Sequence, residues 1–530
     1  MKRISQTFLS IALALGASAV LTGTAVAQGA PQKGGTAIIA LGEDPQTVNP
    51  NVTTNIPSRI VGCILYQGMV EVSPDYKILP LLAKSWQVSP DGLTYSFDLV
   101  KAEWHDGKPF TSADVKYSLL EVSAKLSALF NRVGKLIDNI DTPAADKVVI
   151  KLKEPFGPFL ISLGCIQGAA ILPSHLFAGT DPLKNPASIE TPVGTGPFKL
   201  TEWRRADFIR LAKNDKYHEP GKPHLDGIIG KVIPQVSTAL QALRAGEVDY
   251  VSNIPPNDVA AIVADPKLKV LDSDNAPIST LAFFNMKQKP LNDKRVRHAL
   301  MMAIDREYLM KNVFFNIGTV GVQPFTTDIP WVVNAKIDYR KMYPFDVAKA
   351  NALLDEAGIK RDQNGKRFSM NIAVFAALQV ELQQVAVALK SMWEKVGVDV
   401  TVTALETATY IKRVFQDGEF QMSLVGYTSY SDPALGIVRT FDTSSIGRPF
   451  GNASFYSNPK VDAMFTEGEK ASAPQERGKH YNAAQEIIAE DLPVIQLRSY
   501  LDQTAATKKL NGIWRIAQGN GRWADGWLAK

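Results

Sequence analysis

Residues 228–256, IIGKVIPQVSTALQALRAGEVDYVSNIPP, decide the fold class. Ile228 to Ile233 is a short apolar run and reads as a buried strand. Ser237 to Ala245 reads as a helix that stops at Gly246. Val248 to Val251 is a second strand, and it runs out into the polar exit Ser252-Asn-Ile-Pro-Pro256. Strand, helix, strand and a polar exit predict an α/β lobe.

The same grammar recurs on both sides. Upstream, Thr36 to Leu41 reads as a buried strand, followed by a loop to Pro57 and a helix from about Arg59 to Gly68 that Ser58 can cap. Val70 to Val72, Trp86 to Val88 and Leu93 to Leu99 predict an antiparallel meander with Pro90-Asp91-Gly92 as its turn. Thr111 caps a helix whose third residue is Asp114, well placed for the helix dipole. Pro192-Val-Gly-Thr-Gly-Pro-Phe198 marks a fixed, unusual backbone path. It is not a phosphate cradle, because no Lys-Ser/Thr follows Gly196 and a strand comes next.

Downstream, Asp346 caps a helix through Ala357 that Gly358 stops, and Val380 to Val396 is an amphipathic helix before a strand at Val398 to Val402. Phe420 to Pro433, FQMSLVGYTSYSDP, begins as a strand and breaks into a loop dense in hydroxyls and rings. Such a loop can hold recognition groups rigidly at a cleft mouth. Ser279 to Met286 and Leu492 to Tyr500 are expected to carry the chain between the two lobes as adjacent crossover strands, making a hinge over a cleft.

The N-terminus directs the chain outward. Lys2 and Arg3 precede the apolar run Phe8 to Val20, and Ala25-Val26-Ala27 is a small-residue cleavage site, so residues 1–27 read as a secretory signal peptide cut before Gln28. Losing Lys2 and Arg3 lowers the formal charge from +5 to +3. So nearly neutral a chain argues against nucleic-acid binding. About 500 mature residues call for two or more lobes. Cys63 and Cys165 are the two cysteines. An oxidising compartment would allow a disulfide between them, and two buried thiols remain the alternative.

Several stretches together resemble one family. They are Ile78 to Trp86, Ser89 to Phe97, Trp104 to Val115, Val193 to Phe198, Asn292 to Ala299 and Pro344 to Gly358. In their order the chain is similar to extracellular solute-binding proteins of the dipeptide/oligopeptide-binding family of ABC importers (family 5, cluster C). The resemblance covers essentially the whole mature chain. It implies an α/β, two-lobed Venus flytrap with an extra α+β subdomain on the first lobe. The first lobe would comprise residues 28–67, 194–277 and 495–530, the small subdomain 68–193, and the second lobe 278–494.

The resemblance also implies a role: a periplasmic monomer that captures a small molecule or short peptide and delivers it to an inner-membrane permease, with no cofactor, metal or catalytic residue. Carried over, the ligand contacts are Thr54 and Asn55, Ser252 and Asn253, Trp331, and the loop Tyr427, Thr428, Ser429, Tyr430, Ser431 and Asp432. Phe130 and Arg132 lie in a subdomain segment that can reach the cleft. Arg413 and Arg439 are candidate carboxylate partners. Peptide-binding members commonly place an Asp four positions after the loop glycine, against the peptide's α-ammonium. Here Gly426 is followed by Tyr-Thr-Ser-Tyr-Ser, and Asp432 matches a different, structural acidic position. Either Asp432 shifts into that role or the solute is not an ordinary peptide. The second reading is preferred, with opines, sugar conjugates and modified amino acids in range. An exported hydrolase is the rival class, but neither a Gly-x-Ser-x-Gly elbow nor a His-Glu-x-x-His helix is present. His218 and His224 stand six apart in a Pro/Gly loop and read as surface residues. A periplasmic chaperone is the third class.

Overall fold

The computed structural model describes residues 30–272, 277–375, 381–513 and 521–530. The signal peptide and Val380 lie outside the described residues. No helix among those residues is long and apolar enough to cross a membrane.

Two sheets organise the chain. The first has seven strands in the order Leu268–Asp272, Gln503–Thr507, Tyr250–Val251, Thr36–Leu41, Gly227–Val232, Phe208–Lys213 and Phe198–Arg204. Thr36–Leu41 pairs in parallel with both neighbours, as a strand reached by helical crossovers must. The second has six strands in the order Thr319–Val320, Val494–Tyr500, Ile278–Phe284, Met422–Thr428, Phe368–Phe375 and Val398–Leu405. A separate antiparallel sheet of Ala83–Val88, Thr94–Leu99, Lys147–Leu152 and Ile137–Ala144 builds the small subdomain.

The centre of the second sheet is buried on both faces. Every residue of Ile278–Phe284 is buried. Ala282 and Phe284 enter one core, and Leu281 and Phe283 enter the core on the opposite face. Neighbouring Met422 and Leu424 join the first, Val425 and Tyr427 the second. Each such Phe or Leu contributes about 1.5–3 kcal/mol on burial. The strand that presents the 427–432 loop is therefore clamped from both sides.

The strands that flank the two crossings between sheets are paired with each other. Leu268–Asp272 pairs antiparallel with Gln503–Thr507, and Ile278–Phe284 pairs antiparallel with Val494–Tyr500. Val494–Tyr500 is wholly a strand of the second sheet, so the return to the first lobe follows Tyr500 rather than starting at 495.

Local differences from the sequence reading have local causes. The first helix spans Ile56–Leu65, because Pro57 suits its first turn and Asn55 is the cap, its Oδ1 accepting from Ser58 N at 2.9 Å. Val70–Val72 pairs with Ile78–Pro80 instead of joining the meander. The 193–198 glycines serve packing. A Cβ on Gly194 or Gly196 would stand 1.8 Å from Leu65 O or 2.2 Å from Ile64 O, at the end of that first helix.

Candidate functional site

The loop that follows Met422–Thr428 is held in an uncommon shape. Tyr430 and Ser431 both take left-handed backbone angles, φ 46° and 66°. Two such residues in succession cost about 1–3 kcal/mol each, and this kind of strain gathers at ligand clamps. Several bonds hold it. Ser429 N donates to Pro277 O at 2.9 Å, and Tyr427 Oη donates to Gly451 O at 3.1 Å. Asp432 is committed within the lobe. Its two oxygens accept from Arg477 Nη1 and Nη2 at 2.5 and 2.7 Å, and Oδ1 also accepts from Ala434 N at 2.9 Å. Both side chains are almost fully buried, so this is a structural ion pair.

The tip of the loop meets the first lobe. Tyr430 hydrogen-bonds Arg59, whose Nη2 also donates to Ile166 O. Burial lowers the affinity of the Arg59 guanidinium for its proton, and Tyr430 works against that effect. Ser431 closes one side of a cavity of about 70 Å³. The other walls come from Cys63 and Gln67 on the first helix and just beyond it, Glu71, Cys165 to Gln167, Tyr217, and Arg522 and Trp523 near the C-terminus. Cys63 and Cys165 are disulfide-bonded with Cα atoms 5.9 Å apart, which ties the first helix to the Cys165–Gln167 turn.

Behind the cavity wall sits a charge network. Arg522 is shared by three carboxylates: Glu71, Glu219 with both oxygens at 2.6 Å, and Asp525 at 2.6 Å. Lys222 Nζ reaches Glu219 at 3.0 Å and also pairs with Asp525. Tyr217 Oη donates to Glu219 at 2.8 Å and accepts from Gln67 Nε2 at 2.9 Å. The His218 ring nitrogen Nε2 lies 3.1 Å from Gln67 Oε1.

A second contact between lobes lies on the small subdomain. Arg132 pairs with Glu469 and also donates to Ala434 O at 3.4 Å. Gly157 N donates to Glu469 O at 2.6 Å. Tyr76 packs on one second-lobe core, and Leu435 packs on the subdomain core.

The expected site residues thus divide. Tyr430 and Ser431 reach the first lobe, and Arg132 reaches the second. Thr54 and Asn253 are exposed, and Thr428 and Ser252 are half-buried. Asn55 is occupied as a helix cap and also donates to Glu43 Oε1 at 2.5 Å. The Ser429 hydroxyl is buried without a hydrogen-bond partner among the described residues. Phe130 is fully buried in the subdomain core. Trp331 packs beneath the Arg477 guanidinium, 5.0 Å from ring centre to Cζ. Arg413, in the helical segment Ile411–Asp417, pairs at 3.7 Å with Glu419 just beyond that segment's end, and Arg439 lies 5.1 Å over the Tyr427 ring. For Asp432, Phe130, Trp331 and Arg413 these partners give a structural account in place of the expected solute contact. The sequence reading missed Arg59, Gln67, Glu71, Tyr217 and Arg522. One sign was available for Arg59, the single cation in the otherwise apolar IPSRIVGCIL.

The sequence profile described as "Bacterial extracellular solute-binding proteins, family 5 Middle" matches residues 77–448. The chain belongs to this family. It is a substrate-binding component of an ABC importer, and the two sheets and subdomain are the two-lobed architecture of periplasmic binding proteins. Among relatives, the glutathione-binding protein GsiB of Escherichia coli O1:K1 / APEC is 30% identical over 488 residues, 90% of this chain and 91% of that one. The periplasmic binding protein DppA from Helicobacter pylori, solved with the peptide STSA, superposes with a TM-score of 0.77 at 27% identity. That match covers 94% of this chain and 99% of DppA. AgaA from A. tumefaciens R10, solved with agropinic acid, gives a TM-score of 0.76 at 25% identity over 94% and 99%.

Proposed function

We propose that residues 1–27 export the chain to the periplasm, where it works as a monomer and binds a small polar solute other than a simple peptide. It hands that solute, chemically unchanged, to an inner-membrane permease. Solute enters the cleft between the lobes and contacts the Tyr427–Ser431 loop on one side and the first-lobe wall on the other. It favours closure through its higher affinity for the closed arrangement. Thr54, Ser252, Asn253 and Arg439 flank the path inward.

One observation carries the preference against simple peptides. Asp432 is the one carboxylate of the 427–432 loop, and Arg477 and Ala434 N occupy both of its oxygens. The loop itself therefore offers an α-ammonium no free carboxylate, and an ammonium relying on the loop alone would be costly to bury. The relatives span the alternatives, with glutathione, the tetrapeptide STSA and agropinic acid named for three of them. The tetrapeptide of the DppA relative favours the second reading, a dipeptide or oligopeptide carrier.

Thermal-shift screening of opines, sugar acids, modified amino acids, glutathione and di- to tetrapeptides tests the assignment. A solute at about one hundred times its Kd adds about 2.7 kcal/mol to stability. A shift produced by simple peptides alone would overturn the preference, and turnover of a bound solute would overturn the carrier role.

A further inference from the structure

We propose that Glu71 is the counter-ion for a cationic nitrogen of the bound solute, and that the cavity between Ser431 and the first lobe is the subsite receiving that nitrogen. This rests on the solute-binding role above and narrows the solute to one with an ammonium or guanidinium group.

The inference follows from how charge is shared around the cavity. Three carboxylates, Glu71, Glu219 and Asp525, are served by two cations, Arg522 and Lys222. The sharing is uneven. Glu219 and Asp525 each contact both cations, whereas Glu71 contacts Arg522 alone among the described residues. Glu71 is thus the least compensated acid of the network. It is also the only one of the three that lines the cavity. Its side chain is about 10% exposed, so water screens it little.

Apart from Arg522, which also lines the cavity and is held by the three carboxylates, the polar wall suits a cation donor. Gln67, Gln167, Tyr217 and Ser431 bring neutral oxygen atoms that can accept its remaining N–H bonds. Arg59, the nearest other cation on the first helix, is directed to Ile166 O and Tyr430 and is not part of the wall. Ser431 comes from the opposite lobe, so the subsite is complete only when the lobes meet. A solute nitrogen seated there would therefore bind the closed state in preference to the open one.

The network also makes Glu71 testable. Arg522 keeps Glu219 and Asp525 when Glu71 is neutralised, so Glu71→Gln should fold, as a circular dichroism melt will check. Glu71→Asp retains the charge and serves as the conservative control. Calorimetric titrations of the mature protein use glutathione and Ser-Thr-Ser-Ala, each beside its N-acetylated form. Mass spectrometry identifies any solute that the natively purified protein carries. The expected result is a bound solute with a basic nitrogen, weakened about 30-fold or more by Glu71→Gln. N-acetylation of a bound probe should weaken it comparably, and the two losses should not add. Glu71→Asp should recover part of the affinity.

Equal affinity of wild type and Glu71→Gln for a bound solute would overturn the inference and leave the carrier role standing. So would a carried solute without basic nitrogen, or an N-acetylated probe that binds as well as its parent. Failure to bind or carry any solute would overturn both.

Discussion

Replacing Arg132 by alanine should weaken solute binding through the closed state, although Arg132 need not touch the solute. Its guanidinium spans from the small subdomain to Glu469 and Ala434 O, and lies 5.7 Å from the Phe156 ring centre. The pair is unevenly buried: the arginine side chain is 55% exposed and the glutamate 15%. Exposed pairs are worth about 0.2–1 kcal/mol, and stripping the partner from a fully buried charge costs about 3–5 kcal/mol. This intermediate case is worth about 1–2 kcal/mol to closure. At about 1.4 kcal/mol per decade, the closed population falls about 5- to 30-fold, and affinity falls with it when the free protein is mostly open.

The sign of the pH effect separates this account from a general loss of folding. Burial raises the Glu469 pKa, while Arg132 opposes that rise; Asp442 and the Asp432 of the Asp432–Arg477 pair add to it. Removing Arg132 raises it further. The closed state then holds the proton more tightly than the open one, so closure of Arg132→Ala is most favoured below the ordinary carboxylate range and is lost as pH rises from there through the raised value. Titration calorimetry between pH 5 and 8, with small-angle scattering for closure, reads both effects. Glu469→Gln, which needs no counter-ion, should restore most of the affinity to the Arg132→Ala protein. If Arg132→Ala binds within twofold of wild type, or the double variant binds no better than the single, the contact does not govern closure.

Other perturbations follow from single contacts. Asp432→Asn leaves Arg477 buried without its carboxylate and should cost about 3–5 kcal/mol in denaturant unfolding. Gly157→Val should weaken binding with little change in melting temperature, because a Cβ there would lie 2.2 Å from Ala471 O across the interface. Burial lowers the His105 pKa to about 4 from 6.5, so its neutral form stabilises the fold above pH 6.5 and that contribution, about 3 kcal/mol, is lost as pH falls toward 4. His105→Gln should flatten that part of the stability–pH curve. Replacing both Cys63 and Cys165 by serine opens a link across 102 residues and should cost up to about 4–5 kcal/mol in denaturant unfolding.

What the sequence made legible was whatever depends on local pattern. The run from Ile228 to Val251 alternates strand, helix and strand because its apolar residues and Gly246 leave little else, and the structure keeps Gly227–Val232, Val236–Ala245 and Tyr250–Val251. The crossing strands were legible from their apolar stretches, Leu281 to Phe284 in one and Val494, Ile495 and Leu497 in the other, although Ser279, Thr280, Gln496, Arg498 and Ser499 are buried beside them. The partners of polar side chains were not legible. Asn55 looks like a binding residue until Pro57 sets the helix start and makes it a cap. Arg132 and Glu469 are 337 positions apart, and nothing in either neighbourhood announces the other. Glu71 and Arg522 stand at opposite ends of the chain, and the first sheet brings those ends together. Thr36–Leu41 and Gln503–Thr507 both flank Tyr250–Val251 there.

The 427–432 loop shows how these long-range pairings bear on function. A strained Tyr430-Ser431 step survives only where its surroundings over-determine it. Here one anchor is the two-sided burial of Met422–Thr428, and the other is Asp432, fixed by Arg477 on a different helix. Between the anchors, the step aims Tyr430 at Arg59 and Ser431 at the cavity. On the proposed function, Asp432 serves recognition by holding the backbone and not by meeting a charge, which leaves charge recognition to the opposite wall. Of the acids in that wall's network, Glu71 alone lines the cavity and has a single cation partner among the described residues. Two lobes that each supply half of a site, one its shape and the other its charge, bind solute well only when closed. A carrier that signals occupancy through its closed form requires that property.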